Sequence, residues 1–256
     1  MPAAQPPSVL VDVASAARRV VVLSGAGMSA ESGLATFRDP QTGLWERFRP
    51  EDLATPAAWD ADPALVWAWY LWRFERTHDV TPNAGHAAIA AWEGLDLATV
   101  TVVTQNVDDL HERAGSRAVH HLHGSISAFR CSECDHPFPD PILAPPQPVE
   151  RIPPPACPAC FGLVRPGVVW FGESLPPQPW EEAVVACENA ELVLVVGTSG
   201  LVYPAAGLPA VARASGAFVA EVNPRSTDIS DLAHLCWRES AARAIPALVE
   251  AITALE

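Results

Sequence analysis

The sequence predicts an α/β fold in which a parallel sheet flanked by helices carries a smaller metal-bearing insertion. Three observations predict it. Four apolar, β-branched runs are separated by segments of helix length, each run stops in small or polar residues, and two CxxC pairs interrupt the alternation.

The runs are Arg19 to Gly25 (RVVVLSG), Leu97 to Asn106 (LATVTVVTQN), Glu191 to Thr198 (ELVLVVGT) and Ala217 to Asn223 (AFVAEVN). Near-continuous apolar stretches of this kind suit strands buried on both faces. In an open parallel sheet the ligand crevice lies beyond the carboxyl ends of the strands, so the tails GAG, TQN, GTS and EVN are expected to converge on one site.

Directly after the first run, Gly25, Gly27 and Ala30 form a GxGxxA pattern, which brings backbone close to a pyrophosphate at a helix N-terminus. A merely tight turn reads the same way. Ser29, Ser32, Gly33, Phe37 and Arg38 follow and add hydroxyls, flexibility and one fixed cation. From Phe37 to about Gly85 the chain is rich in Trp, Pro and Asp, with helical spacing around Ala64 to Arg76; it reads as a flexible loop leading into a helical module. Tyr70 and Arg73, three residues apart in that helix, project from one face.

The block TQNVDD supplies Gln105, Asn106 and Asp108 behind a strand, and HLHGS places His123 before a glycine. Helix capping would also account for a polar cluster, and a lone histidine is often structural. Here the four side chains would share a crevice with a glycine-rich loop, which favours a binding or catalytic role.

Cys131-x-x-Cys134 and Cys157-x-x-Cys160, with 22 residues between the pairs, have the spacing of a tetrahedral zinc ribbon. With all four ligands supplied by protein, such a metal is structural. A redox CxxC fits less well, since neither pair is expected to open a helix. The stretch DPILAPPQPVERIPPP between the pairs excludes a continuous helix or central strand, so Pro139 to Pro155 is expected to be an exposed loop. Cys187 and Cys236 stand alone and read as core residues.

Composition narrows the function classes. A net charge of −14 argues against an electrostatic grip on nucleic acid or an anionic membrane, because a negative field repels both. No stretch reaches the roughly 20 apolar residues of a membrane helix, and the start lacks a basic segment followed by an apolar one. The expectation is a cytoplasmic, monomeric protein. All 16 basic residues are Arg, which with 26 prolines suits GC-rich coding.

Taken in order, GAGMSAESGLATFRD, TQNVDDLHERAG, HLHGS, the paired CxxC, RPGVVWFGESLP, VVGTSGLVYPA and EVNP resemble the successive signature blocks of the sirtuins over about Val20 to Pro224. The resemblance implies a Rossmann-like parallel sheet flanked by helices, with a smaller zinc-ribbon plus helical domain inserted. The expected large domain comprises 1–36, 86–125 and 167–256; 37–85 and 126–166 form the small one. It also implies an NAD-dependent protein-lysine deacylase, with NAD consumed as co-substrate, one structural zinc, and acylated-lysine proteins as substrates. In that chemistry the acyl carbonyl oxygen attacks C1′ of the nicotinamide ribose, and the products are nicotinamide, O-acyl-ADP-ribose and free lysine.

Carried over by position, His123 matches the general base, while Asn106 and Asp108 match residues that orient the ribose and recognise the carboxamide. Gln105 lies against the ribose. Gly25, Ala26, Gly27, Ala30, Phe37, Arg38 and Trp45 match the cofactor-loop region; Gly197, Thr198 and Ser199 match phosphate and ribose contacts; Asn223, Pro224 and Arg225 match the adenosine side, and Ala241 a last contact. Val168, Val169 and Phe171 match the strand that pairs with substrate backbone. Tyr70 and Arg73 reproduce the Tyr-x-x-Arg of class III sirtuins, which hold the carboxylate of succinyl, malonyl or glutaryl lysine, and Ala54 matches the small residue that admits the longer chain. The chain departs from the pattern at Gly167 and Glu239, where relatives often carry His and Gly.

Rival expectations are a deacylase acting mainly on acetyl-lysine, a mono-ADP-ribosyltransferase, an NAD-dependent dehydrogenase and a non-catalytic acyl-lysine binding module. Only the dehydrogenase would generate NADH, and only the binding module would keep its function after His123→Ala.

Overall fold

The structure, a computed structural model, describes residues 4–35 and 43–255. Strand β1 (Arg19–Ser24) follows helix α1 (Ser8–Ala16). The helical module holds α2 (Pro50–Leu53), α3 (Pro56–Ala61) and α4 (Pro63–Asp79), and α5 (Ala84–Glu93) returns the chain to the sheet. Next come β2 (Thr99–Thr104), α6 (Leu110–Ala114), β3 (Val119–His121), β4 (Gly124–Cys131) and β5 (Val164–Val168). The last part holds α7 (Pro177–Asn189), β6 (Leu192–Val196), α8 (Leu208–Ala214), β7 (Phe218–Val222), β8 (Leu235–Trp237) and α9 (Ala241–Thr253).

The main sheet runs β3-β2-β1-β6-β7-β8, and its pairings are all parallel. Counted in chain order this is the doubly wound 3-2-1-4-5-6 arrangement, whose direction of winding reverses between β1 and β6. Alternation within the strands splits the core. Val20, Val22, Leu192 and Leu194 face α1, α5 and α9, whereas Val21, Leu23, Val193 and Val195 face α7 and α8. A third, Trp-rich core joins the helical module to the β4–β5 hairpin through Trp59, Trp67, Trp69, Ile126, Val164 and Trp170. Its long helix α4 starts where Asp62 accepts the Leu65 N–H at 3.0 Å, with Pro63 in the first turn.

The four expected runs are strands, trimmed by one or two residues at each end except at Arg19, where the first begins as expected. Two edge strands, β3 and β8, were not anticipated. The GxGxxA loop also differs from expectation: Ala26–Met28 and Ala30–Ser32 are single 3₁₀ turns, and no α-helix starts there. Gly33, at φ 95°, ends the second turn before a helix can propagate. Cys187 is buried, but Cys236 is exposed, because on three-residue β8 its neighbours Leu235 and Trp237 take the inward face. The segment 139–155 contains no helix or strand, as its prolines require. None of the described helices is long and apolar enough to cross a membrane.

Candidate active site

The strand tails line up because each is bonded to its neighbour. Gly25 N–H donates to the Val196 carbonyl (3.0 Å), Gln105 N–H to Ser24 (2.9 Å), Gly197 N–H to Val222 (3.1 Å) and Asn223 N–H to Trp237 (3.2 Å). At the reversal point the β1 and β6 tails are in backbone contact: Gly27 N–H donates to the Gly197 carbonyl at 2.8 Å. A Cβ on Gly197, whose φ is +62°, would lie 2.4 Å from the Met28 nitrogen, and one on Gly27 would lie 2.8 Å from the Gly197 Cα. Only glycine allows this seam, which leaves a side-chain-free cradle suited to a dinucleotide's phosphates. Without a helix behind the loop, any pyrophosphate there is met by the loop's own amides and hydroxyls.

Beside the seam the polar side chains form one network. Asn106 Nδ2 donates to Ser29 Oγ (3.1 Å), which donates to Asp108 Oδ2 (3.1 Å). Gln105 Nε2 donates to Thr198 Oγ1 (3.0 Å), and Asn223 Nδ2 to the Thr198 carbonyl (3.1 Å). Burial raises the Asp108 carboxyl above its ordinary range, partly offset by the Leu110 N–H and Ser29. Ser29, 2 % exposed, is thus the junction of the site, although sequence reading gave it only a hydroxyl.

His123 and His121 project from alternate positions of one short stretch. His123 Nδ1 lies 2.9 Å from the Gln105 carbonyl, and His121 Nδ1 lies 3.0 Å from the Asn106 carbonyl. A carbonyl can only accept, so each Nδ1 carries the proton and His123 Nε2 keeps its lone pair. Burial lowers the His123 pKa, holding the ring neutral and ready to take a proton. His121 Nε2 instead meets Glu112 Oε1 at 2.6 Å. The HxH spacing was the signal for this second histidine. From below, His111 Nε2 bonds Ser24 Oγ (3.0 Å), Ser24 donates to Thr104 Oγ1 (2.9 Å), and Thr104 Oγ1 accepts the Asn106 N–H (3.0 Å).

The step after His123 needs glycine as well. Gly124 has φ +71°, and a Cβ there would lie 2.1 Å from the Gly167 oxygen. Gly167 in turn faces Ala128 across the hairpin, where an added Cβ would come within 3.0 Å, so the departure at 167 fits the bulge of β4. Val169 N–H donates to the His123 carbonyl and Phe171 N–H to the Ala54 carbonyl, both at 2.9 Å. Tyr70 is buried on α4, and burial pushes its hydroxyl up to about 12. Half-buried Arg73 places its guanidinium carbon 5.0 Å from the Trp69 ring centroid. Burial lowers the Arg73 pKa, while Tyr70 and Asp108 support its charge.

Other expected residues lie apart from this cluster. Trp45 is fully buried in the Trp-rich core, against Phe48 and Trp72. Ala30 is exposed on the second 3₁₀ turn. Ala241 opens α9, where Glu31 accepts from Ser240 Oγ and the Ala242 N–H, each at 3.0 Å. Glu239 pairs with Arg243 at 3.2 Å. Ser199 accepts from the Asp228 N–H, and exposed Arg225 caps Asn223 Oδ1 through its own N–H. Phe37 and Arg38 lie outside the described residues.

The sulfurs of Cys131, Cys134, Cys157 and Cys160 lie within 4.8 Å of one another, close to the roughly 3.8 Å edge implied by zinc–sulfur bonds of about 2.3 Å. The N–H groups of Glu133, Ala159 and Gly162 point at Cys131, Cys157 and Cys160 at 3.3 to 3.4 Å, as thiolates bound to a metal require. Neither pair opens a helix, and the cluster fits one structural zinc.

A family model described as Sir2 family matches residues 25–204. A Mycolicibacterium paratuberculosis protein named NAD-dependent protein deacylase is 55 % identical over 237 residues, 93 % of this chain and 99 % of that protein. A crystal structure of a Sir2 homolog–NAD complex superposes with a TM-score of 0.90 at 42 % identity, covering 100 % of this chain and 97 % of the other. Sir2Tm bound to a propionylated peptide superposes with a TM-score of 0.79 at 28 % identity, over 95 % and 97 % of the two chains.

Proposed function

The chain belongs to the Sir2 family and is an NAD-dependent protein deacylase, and from that premise we propose that it removes succinyl, malonyl and glutaryl groups from lysine in preference to acetyl. One observation carries the preference: a buried, neutral Tyr70 hydroxyl and the Arg73 guanidinium project from one face of α4. A cation beside a neutral donor suits a carboxylate and gives nothing to a methyl group. Ala54, whose carbonyl holds Phe171, keeps the side chain at its position small.

NAD supplies an electrophilic ribose carbon when bound. The chain's residues do the rest. His123 Nε2 takes the proton of a ribose hydroxyl, and the Nδ1 bond to Gln105 fixes which nitrogen is basic. Asn106, Ser29 and Asp108 bind as one donor and acceptor set for the ribose and carboxamide. The Gly25–Gly27 loop and Gly197 to Ser199 take the phosphates, with Asn223 to Arg225 on the adenosine side. Val168 to Phe171 aligns the acyl-lysine protein. The division into a large domain (1–36, 86–125, 167–256) and a small one is supported by the Trp-rich core that unites the helical module with the zinc hairpin.

Matched acetyl-, succinyl-, malonyl- and glutaryl-lysine peptides incubated with NAD, followed by mass spectrometry and nicotinamide release, test the reading. The expected result is a larger kcat/KM for succinyl than for acetyl; a clear win for acetyl overturns it.

A further inference from the structure

Arg165, on β5, is 6 % exposed and grips Glu173 with both arms: Nη1 to Oε1 at 2.6 Å and Nη2 to Oε2 at 2.9 Å. Glu173 then holds both backbone groups of Trp170, accepting its N–H at 2.8 Å and donating its own N–H to the Trp170 carbonyl at 3.0 Å. The Arg165 guanidinium lies on the indole face, its carbon 3.2 Å from the ring centroid, and the Trp59 ring is 5.5 Å away. The indole is therefore fixed in position and in rotation.

Its Nε1–H lies 3.1 Å from the Tyr70 hydroxyl oxygen. An indole N–H can only donate, so Tyr70 must accept there and turn its own proton elsewhere. Among the described residues the Tyr70 hydroxyl makes no other hydrogen bond, and the residue is 5 % exposed. A buried donor left unspent is costly, and donation into its oxygen strengthens it as a donor. An acyl carboxylate on the Arg73 side of the phenol would complete it.

We infer that Trp170, locked by the Arg165–Glu173 pair, is a positioning residue that aims the Tyr70 O–H at the acyl carboxylate and so contributes to selectivity for acidic acyl groups. The inference rests on the acidic-acyl reading above. Trp170→Phe keeps a ring in the cage and removes the N–H. The ratio of succinyl to acetyl kcat/KM is expected to fall about tenfold, on the scale of one hydrogen bond to a charged group. Tyr70→Phe should lower the same ratio, and adding Trp170→Phe to it should change nothing further, since the group being aimed is gone. A ratio within twofold of the parent in Trp170→Phe, or full additivity in the double variant, overturns the inference. If Trp170→Phe does not fold, Glu173→Gln loosens the cage at nearly constant volume; the ratio should then fall about threefold, and an unchanged ratio is refuting. The parent protein separates the two ideas. An acetyl-preferring parent sinks the acidic-acyl reading and this inference with it, whereas a succinyl-preferring parent with an insensitive Trp170 sinks only the inference.

Discussion

Acidification from pH 6.5 to 5 should strip about 3 kcal/mol from the folded state through two histidines that the chemistry never touches. His86, in the first turn of α5, and His111, on α6, pack with ring centroids 4.8 Å apart at 0 % and 1 % exposure. His86 Nε2 and His111 Nδ1 have no partner among the described residues. Burial lowers His86 to about 4; burial, with the charges of His86 and His121 adding, lowers His111 to about 3. Both folded-state values lie below the unfolded 6.5. Their stabilisation is therefore complete above pH 6.5 and is lost as pH falls toward the folded values. The slope grows from half of about 1.4 kcal/mol per unit at pH 6.5, where the unfolded ring is half protonated, to nearly all of it at pH 5, so each ring loses about 1.6 kcal/mol, out of a total of about 5–15 kcal/mol. Urea unfolding at pH 6.5 and 5 measures the loss in the parent, His86→Gln and His111→Gln. Glutamine at 86 can still accept the Asn83 N–H of the capping box, and glutamine at 111 can still donate to Ser24. Acid release of zinc would weaken all three proteins alike, so the difference between them isolates the histidines. Each variant should lose about 1.6 kcal/mol less than the parent; equal losses in all three would refute the reasoning.

Arg73→Met should lower kcat/KM for succinyl-lysine by about 2 to 5 kcal/mol, or about 30-fold to a few thousand-fold, and acetyl-lysine far less, as paired peptide kinetics will read. The acid limb of kcat/KM should lie below pH 6.5, because burial lowers the His123 pKa and only the neutral ring can accept a proton; His123→Ala should abolish deacylation while NAD still binds. Elemental analysis should find about one zinc per chain, lost in Cys131→Ser together with a lower melting temperature. Gly124→Ala should destabilise by several kcal/mol in thermal or urea melts, since its Cβ would sit 2.1 Å from the Gly167 oxygen at a φ of +71°.

What was legible in the sequence was local. The central strands announce themselves by near-continuous apolar, β-branched runs, and the zinc ligands by their spacing. The edge strands β3 (VHH) and β8 (LCW) are too short for any periodicity, and the error at Cys236 follows from missing β8: three residues of alternation would have turned it outward. The GxGxxA loop misled because its glycines serve a seam with Gly197 and not a helix start, a purpose visible only once β6 lies beside β1. Trp45 follows a cofactor-loop signature yet is consumed by the core, since a large apolar ring near other tryptophans gains more from burial. Contacts such as Trp170 to Tyr70 and His111 to Ser24 span 100 and 87 residues, and no local pattern encodes them.

The zinc's place in this economy follows from where the hairpin's two ends lie. Cys131 closes β4, and β5 begins four residues after Cys160, so the metal pins one end of the pair. The other end carries His123–Gly124 on one strand and Val168–Trp170 on its partner, with Gly124 opposite Val168. Val169 then holds the His123 carbonyl and Phe171 the Ala54 carbonyl, two residues further along the chain. One short segment thus sets the spacing between His123, the proposed base, and Ala54, the proposed floor of the acyl pocket. A slip of one residue in the hairpin would reverse which side chains face the pocket and would break the cage around Trp170. A zinc there takes no part in the proton transfer proposed for His123, yet it would restrain the register on which the proposed reactivity and acyl selectivity depend. Partial loss of metal should therefore erode the succinyl-to-acetyl ratio before NAD binding, proposed at the glycine seam, is affected, and simultaneous loss of both would contradict that division of labour.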